Sequence, residues 1–440
     1  MDIFLANVGQ RDLYLDGSPL DPKTLRQMGE KIRRNYQDYK DRLSAPILKP
    51  GIEHARLMNN DRPLSVILFV SDQEDPRYRE GDTIGCGRVL SDLLPSLFPG
   101  IQVSLMKMVR GLTRVDEMLN YYRNCMETAK EFKEGFEMVF ASCSGGIPGC
   151  NMALLWAVIE KFRDRAYPIL VEEGGRAISL GIGKEILERF RKEVAQALAQ
   201  RYDFAGLAAL YRNVNQEKCL LAEAAHCRLN LDLEGARRAL AELSGHPSPD
   251  RDFYLELEQY ISELPHETKN QVIELYHNAL IKWDKGEYLD FLGRVFRIME
   301  ASLRLLCGEW RIPTDETHAP YKEFNEAINN CPGLRDFLRE HGVDQPGVNT
   351  KTMMAILKFK EEGDQRLKAV RQILEGLESL ITLRHKSVLG HEFGGASQKI
   401  ITKAYKGEAE ALFADLKNLV GQVSGTPMEE NPFDVIRNKL

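Results

Sequence analysis

Long apolar runs are missing from this 440-residue chain; the longest strong one is Val66–Val70. A membrane-spanning helix needs about 20 consecutive apolar residues, so none is expected. Paired cysteines are missing too: the eight cysteines, at positions 86, 125, 143, 150, 219, 227, 307 and 331, include no CxxC. Reduced, mostly buried thiols in a cytoplasmic protein are the expectation. His226 and Cys227 are adjacent but have no second ligand pair, so no metal site is expected. An excess of basic charge is also absent, since 59 Lys and Arg against 65 Asp and Glu leave a net charge of −6. Proteins that coat long nucleic acids carry a basic surface, so a nucleic-acid substrate here must be short or held in a local basic cleft. The glycine-rich stretch Ser144–Pro148 lacks both the Lys-Ser/Thr of a P-loop and the third glycine of GxGxxG. That weighs against an ordinary nucleotide-binding α/β enzyme. The N-terminal MDIFLANVG is acidic and enters strand-like sequence at once, so it is not read as a signal peptide.

What is present divides the chain by character. Its length calls for two or three domains. In the first third, strand-like runs at Ile3–Val8, Val66–Ser71, Ile101–Met106, Met138–Ser142 and Ile169–Val171 alternate with helical stretches at 22–43, 83–97, 114–132 and 148–162. Near-continuous apolar strands separated by helices predict a Rossmann-like, doubly wound parallel sheet. Ligands of such sheets bind beyond the carboxyl ends of the strands. The loop after the first strand holds Asn7, Gly9, Gln10, Arg11 and Asp12; the loop after the fourth holds Ser144, Gly145, Gly146, Ile147 and Pro148. Glycines there let a ligand approach the backbone, and Pro148 opens a helix whose free N–H groups favour an anionic or polar ligand. A tight turn with no ligand is the competing reading. Asp82-Thr83 reads as a helix N-cap. From about Gly183 the pattern becomes all-helical. Asp203–Leu207 and Asp232–Ala236 look alike at a 29-residue offset, which suggests a connector of helical hairpins.

Toward the C-terminus, Asp364–Phe393 reads as one long helix ended by Gly394-Gly395, followed by another over Gln398–Val423. The long helix carries ITLRHKSVLGHEFGG. Arg384 and His391 are seven residues apart, close to two turns, so both are expected on one helix face. A permanent cation beside a group that titrates near neutrality suits reaction at a phosphodiester; two solvated surface residues are the alternative. His385 is expected about 100° away round the helix, as a pocket-edge residue or an incidental surface histidine.

Taken together, the loop NVGQRD, the loop SGGIP, the segment RHKSVLGH and the terminal NPFD resemble the CRISPR-associated ribonucleases of type III systems, which join an N-terminal CARF sensor domain to a C-terminal HEPN nuclease domain. RHKSVLGH fits the HEPN pattern of Arg, four to six residues, then His, and departs from it in carrying His385 where asparagine is frequent. The resemblance implies a CARF domain over 1–180, a helical connector over 181–262 and a HEPN domain over 263–440. It further implies a homodimer without a membrane or a stable complex with the interference machinery. A cyclic oligoadenylate, tetra-adenylate favoured over hexa-adenylate, is the implied activator, bound by Asn7, Gly9, Gln10, Arg11, Ser144, Gly145, Gly146, Ile147 and Pro148. Slow cleavage of the ring by the CARF domain is compatible with the family. No cofactor or metal is implied. Arg384 and His391, and less directly His385, are the implied catalytic residues for metal-independent cleavage of single-stranded RNA to 2′,3′-cyclic phosphate ends. Two other readings stay open: a sensor or adaptor with a silent HEPN bundle, and a CARF transcription regulator, against which the lack of a basic recognition helix counts.

Overall fold

Strands whose residues are apolar on both faces need cover on both sides, and the sheet of the N-terminal unit has it. The structure, a computed structural model, describes residues 2–133, 135–314, 320–428 and 430–440. The chain divides into two compact units, Met1–Lys192 and Glu193–Leu440. In the first, six strands lie in the order Gln102–Met108, Leu64–Ser71, Asp2–Asn7, Val139–Ser142, Ala166–Val171, Ala177–Ser179. All neighbouring pairs are parallel except the last, where Ala177–Ser179 runs antiparallel to Ala166–Val171. Every residue of Asp2–Asn7 is buried. One face of the sheet packs Phe4, Val66, Leu68 and Phe140 against apolar residues of the helices Leu25–Arg34, Leu48–Met58 and Ile84–Leu97. The other packs Ile3, Leu5, Phe69 and Val139 against Val115–Thr128 and Pro148–Phe162.

The first strand is central, with the second and third on one side and the fourth and fifth on the other. The order therefore reverses there, and the loops after the first and fourth strands open at the switch point, where doubly wound sheets take their ligands. The structure departs from the sequence reading in this unit. The stretch 22–43 is not one helix: Leu25–Arg34 is followed by a single turn, Tyr36–Tyr39, and then by Leu43–Ser44, which joins a small antiparallel sheet with Tyr14–Leu15 and Ser18–Pro19. The helix Leu48–Met58 and the edge strand Ala177–Ser179 carry too short an apolar signal to be read from sequence. Thr83 stands at the N-cap of the following helix, but without a side-chain capping bond: its hydroxyl accepts the Ser71 N–H at 2.9 Å, and Asp82 accepts that of Gln73 at 2.6 Å.

In the second unit, the two look-alike segments are two copies of one cap. Asp203 accepts the N–H of Gly206 and Asp232 that of Gly235, each at 2.9 Å, opening the helices Phe204–Tyr211 and Leu233–Ser244. With Gln216–Leu229 and Arg251–Glu263 they make successive helical hairpins. The motif NPFD forms the start of the last helix, Pro432–Lys439: Asn431 accepts the Phe433 N–H, the Phe433 ring is buried beside Phe204, and Asp434 accepts the Tyr202 hydroxyl. A separate core gathers Thr268–Asp284, Tyr288–Glu309, Thr350–Lys360, Gln365–His385 and Ala409–Ser424. Gln398–Val423 is not one helix. It breaks at Lys406, left-handed at φ +61°, and Gly407 into Gln398–Tyr405 and Ala409–Ser424. Among the described residues, no helix is long and apolar enough to cross a membrane.

Candidate functional site

At the switch point the two loops touch. A Cβ on Gly9 would lie 2.3 Å from the backbone nitrogen of Gly146, so only glycine allows the approach. Gly145 and Gly146 take φ of +79° and +63°, which turns the loop before the helix Pro148–Phe162. Beneath them, buried Asn7 accepts the Tyr122 hydroxyl at 2.6 Å and donates to Asn151 Oδ1 at 2.9 Å, and Asn151 Nδ2 donates to the Gly145 and Cys143 carbonyls. The Ser144 hydroxyl is tied to Val171, accepting its N–H at 2.7 Å. The Gln10 amide donates to the Leu20 carbonyl at 3.0 Å. Asn7, Ser144 and Gln10 thus shape the loops with their side chains. Arg11, Ile147 and Pro148 are exposed around the half-buried Gly145-Gly146 backbone.

Sequence reasoning passed over Asp12, Asn151 and Tyr122 as site residues. Asp12 is fully buried; its Oδ2 accepts the Gly9 N–H at 2.6 Å, and its Oδ1 has no hydrogen-bond partner. Burial pushes this carboxyl from 3.8 up to about 7, although the Gly9 N–H and the Arg11 charge pull it down. Between those two values the folded unit holds a proton that the unfolded chain has lost. The Asp12 contribution to stability is therefore complete in acid and is lost as pH rises through about 7. Asp12→Asn keeps an acceptor for Gly9 and removes the ionisation. It is expected to flatten that slope, read from urea unfolding at several pH values.

A cleft of about 1190 Å³ opens beyond the second and third strands. The loops 73–78 and 109–114 line it, together with Asn120, Tyr121, Asn124 and Ile147. Arg114 in its wall pairs with Glu117 at 2.6 Å, while Arg110 is exposed with no carboxylate within ion-pair distance among the described residues. The sequence carries a signal for it: VRGLTR, after the third strand, places one glycine and two arginines at a strand end.

The arginine–histidine segment differs from its reading. The helix is Gln365–His385, not Asp364–Phe393, so Arg384 and His391 do not share a helix face. Ser387 ends it: its N–H and hydroxyl both donate to the Arg384 carbonyl, at 3.1 and 2.7 Å. The chain then folds back, with the His391 N–H donating to the His385 carbonyl at 2.9 Å and the Gly394 N–H to that of Lys386 at 3.0 Å. Gly390 is required there, because a Cβ would lie 2.2 Å from the His385 oxygen. The fold-back brings Arg384, His385 and His391 together. The two imidazoles are parallel within 3° with centroids 6.3 Å apart, and Arg384 Nη1 lies 3.4 Å from His385 Nδ1. Phe296, from the helix Tyr288–Glu309, supports both neighbours: the Arg384 guanidinium sits 5.0 Å from its ring centre and the His385 ring meets it edge-on at 6.4 Å. Sequence reasoning missed Phe296, which has no signal outside tertiary packing. No carboxylate pairs with Arg384 among the described residues, and its Nε is buried without a partner. The guanidinium therefore keeps donors for an anion. Among the described residues there is no group of three or more His, Cys, Asp or Glu that could hold a metal ion.

A Rossmann-like unit with a glycine loop at its switch point is followed in sequence by an all-helical unit with an arginine–histidine cluster at a helix end. The chain is similar in fold to the solved structure of Enterococcus italicus Csm6 bound to cyclic hexa-2′-fluoro-hexa-dAMP: the likeness covers 100% of this chain and 98% of that one, with a TM-score of 0.63 and 12% sequence identity. The chain thus shares the fold of that Csm6 structure over its whole length, a mostly parallel sheet followed by an all-helical unit. No family model and no curated protein matches it.

Proposed function

We propose that this protein is an endoribonuclease that cleaves single-stranded RNA when a cyclic oligoadenylate binds its N-terminal unit, as part of type III CRISPR defence. The observation that carries the reading is the fold-back that sets His391 parallel to His385, the neighbour of Arg384, at one helix end, in a chain whose fold is similar to that of a protein solved with cyclic hexa-2′-fluoro-hexa-dAMP. The ribose 2′-oxygen attacks the adjacent phosphorus, Arg384 stabilises charge on the phosphate oxygens, and His391 moves a proton. The products carry 2′,3′-cyclic phosphates. Because side chains supply both functions, cleavage is expected to persist in EDTA. In a homodimer, two such clusters make a composite site, and an activator acts by biasing the placement of the subunits.

The ring lies against the Gly145–Pro148 backbone and Arg11, and the cleft beside Ile147, with Arg110, receives its outer parts. Supporting this are the switch-point position, the exposed cations and the free N–H groups of a helix start. The test is cleavage of a labelled RNA in EDTA with no activator, with cyclic tetra-adenylate and with cyclic hexa-adenylate. Activity with one ring only supports the reading and assigns ring size; silence with both refutes it. Recovery of the ring afterwards reports any cleavage of the activator. Gly9→Ala is expected to weaken activator binding about tenfold, because its Cβ must force the two loops apart. Calorimetric titration of the variant checks this.

A further inference from the structure

We infer that the outer face of the helix Gln398–Tyr405, with Phe393 at its approach, is the surface that grips single-stranded RNA beside the cleavage cluster. This rests on the ribonuclease reading above and says where that substrate is held. A chain of net charge −6 binds a polyanion only where cations are gathered and left unpaired. From Arg384 to Lys406 the sequence has five cations, Arg384, Lys386, Lys399, Lys403 and Lys406, and one carboxylate, Glu392. None of the five has a carboxylate within ion-pair distance among the described residues. Other cations of the helical unit are tied: Arg297 to Glu300 at 2.6 Å, Arg366 to Glu309 at 2.7 Å and Arg371 to Glu361 at 2.6 Å.

Helix geometry sends the lysines outward. Ile401 is fully buried in the core of this unit, and Lys399 and Lys403 are each two positions from it, about 200° round the helix. Both are exposed, as is Lys406 at the left-handed end of the helix, about 10 Å along the axis from Lys399 at 1.5 Å per residue. Phe393 is an independent observation. Its side chain is 97% exposed, yet its backbone is held from both sides: the His391 N–H donates to the His385 carbonyl at 2.9 Å and the Gly394 N–H to that of Lys386 at 3.0 Å. A ring fixed in water gains nothing from its own chain. The bases of a single strand have free π-faces, and a stacking ring beside a basic track is how proteins hold such strands without reading their sequence. Phe393 is two residues from His391, so a base stacked on it brings its phosphate to the cluster, and the lysine row takes the phosphates beyond. Direct contact between two copies through this face would set its cations against themselves, so a polyanion is the partner that fits.

The experiment is anisotropy binding of a labelled 2′-O-methyl RNA, which lacks the attacking hydroxyl, to the full-length protein with cyclic tetra- or hexa-adenylate over a salt series, alongside cleavage kinetics on the unmodified RNA. One variant combines Lys399→Gln, Lys403→Gln and Lys406→Asn; asparagine tolerates the left-handed backbone at 406. Losing three phosphate contacts on a single strand should lower the slope of log K against log salt by about 2, and affinity at about 0.1 M salt by about 10²-fold. KM for cleavage should rise with kcat unchanged. Arginine at all three positions should keep parental binding. So should Lys130→Gln, Lys133→Gln and Lys161→Gln together, which change net charge equally at exposed sites of the N-terminal unit. Phe393→Ala should bind about tenfold more weakly and Phe393→Trp as the parent does. A parental slope and affinity in the first variant overturns the inference. So does an equal loss in the N-terminal lysine set, which is a net-charge effect, or a loss that follows dissociation of a dimer in sedimentation, which makes the face a protein interface. If the parent cleaves RNA and the lysine and Phe393 variants do so with parental KM, this inference alone fails. If the parent binds RNA but cleaves it with neither ring, the ribonuclease reading fails and the salt slopes still decide this one; if it binds no RNA, both fail.

Discussion

Arg384→Ala is expected to lower kcat/KM for activator-dependent RNA cleavage by about 10²–10³-fold, the usual cost of removing one preorganised donor to a charged transition state. His391→Ala should cost about 10²–10⁴-fold, as loss of a general acid or base does. The double variant should be little worse than the poorer single one, because the groups act on one event. The structural basis is the unspent guanidinium: it has a ring beneath it, one histidine nitrogen beside it and no carboxylate partner among the described residues. Arg384→Lys is not expected to restore activity, since a point charge neither stacks on Phe296 nor presents parallel donors. Activator binding, measured by calorimetry on the same samples, should be unchanged. If Arg384→Ala and His391→Ala both cleave RNA at the parental rate, the site is elsewhere.

The largest expected effect on stability lies at a buried ion pair. Arg228 and Glu274 are each about 1% exposed and joined by two hydrogen bonds, of 2.7 and 2.6 Å. The Arg228 guanidinium lies over Phe433 at 4.5 Å and Tyr260 at 5.1 Å, and its Nη1 has no partner. Glu274→Ala strands a buried cation and should cost about 3–5 kcal/mol. Replacing both, as Arg228→Met with Glu274→Leu, removes the charges together and should be neutral or stabilising by about 1–4 kcal/mol. Urea unfolding of the single and double variants checks the contrast, and similar losses in both would show that packing rather than charge governs the site. The pair joins the helical hairpins to the helix Thr268–Asp284 and, through Phe433, to the terminal NPFD turn, so Glu274→Ala should also loosen the C-terminal helix.

Much of the fold was legible because burial writes itself into strand sequence. Leu64–Ser71 and Asp2–Asn7 are nearly continuous apolar runs, as strands covered on both faces must be. Asp203 and Asp232 were legible because an Asp-x-x-Gly cap is a local interaction. The end of the helix Gln365–His385 was not. Gly390 and Gly394 both follow it, and sequence reasoning stopped the helix at the second; the Ser387 turn and the His385 carbonyl stop it before the first. Asp12 sat in the NVGQRD loop as one polar residue among several, and only its burial against Gly9 and Gly145 sets it apart.

By itself, the amino-acid sequence determined the alternation of strands and helices, the glycine loops at two strand ends and the presence of an arginine with histidines near one helix terminus. Each of these follows from local rules of pattern, φ preference and capping. Tertiary structure alone decided that the two glycine loops meet, that Asn7 and Ser144 spend their side chains on the loops themselves, and that His385 rather than a helix face stands opposite His391. Those outcomes depend on contacts between residues far apart in sequence or across a turn that reverses direction. Such contacts are set by which backbone groups find partners once the core has closed, and no period in the sequence records them.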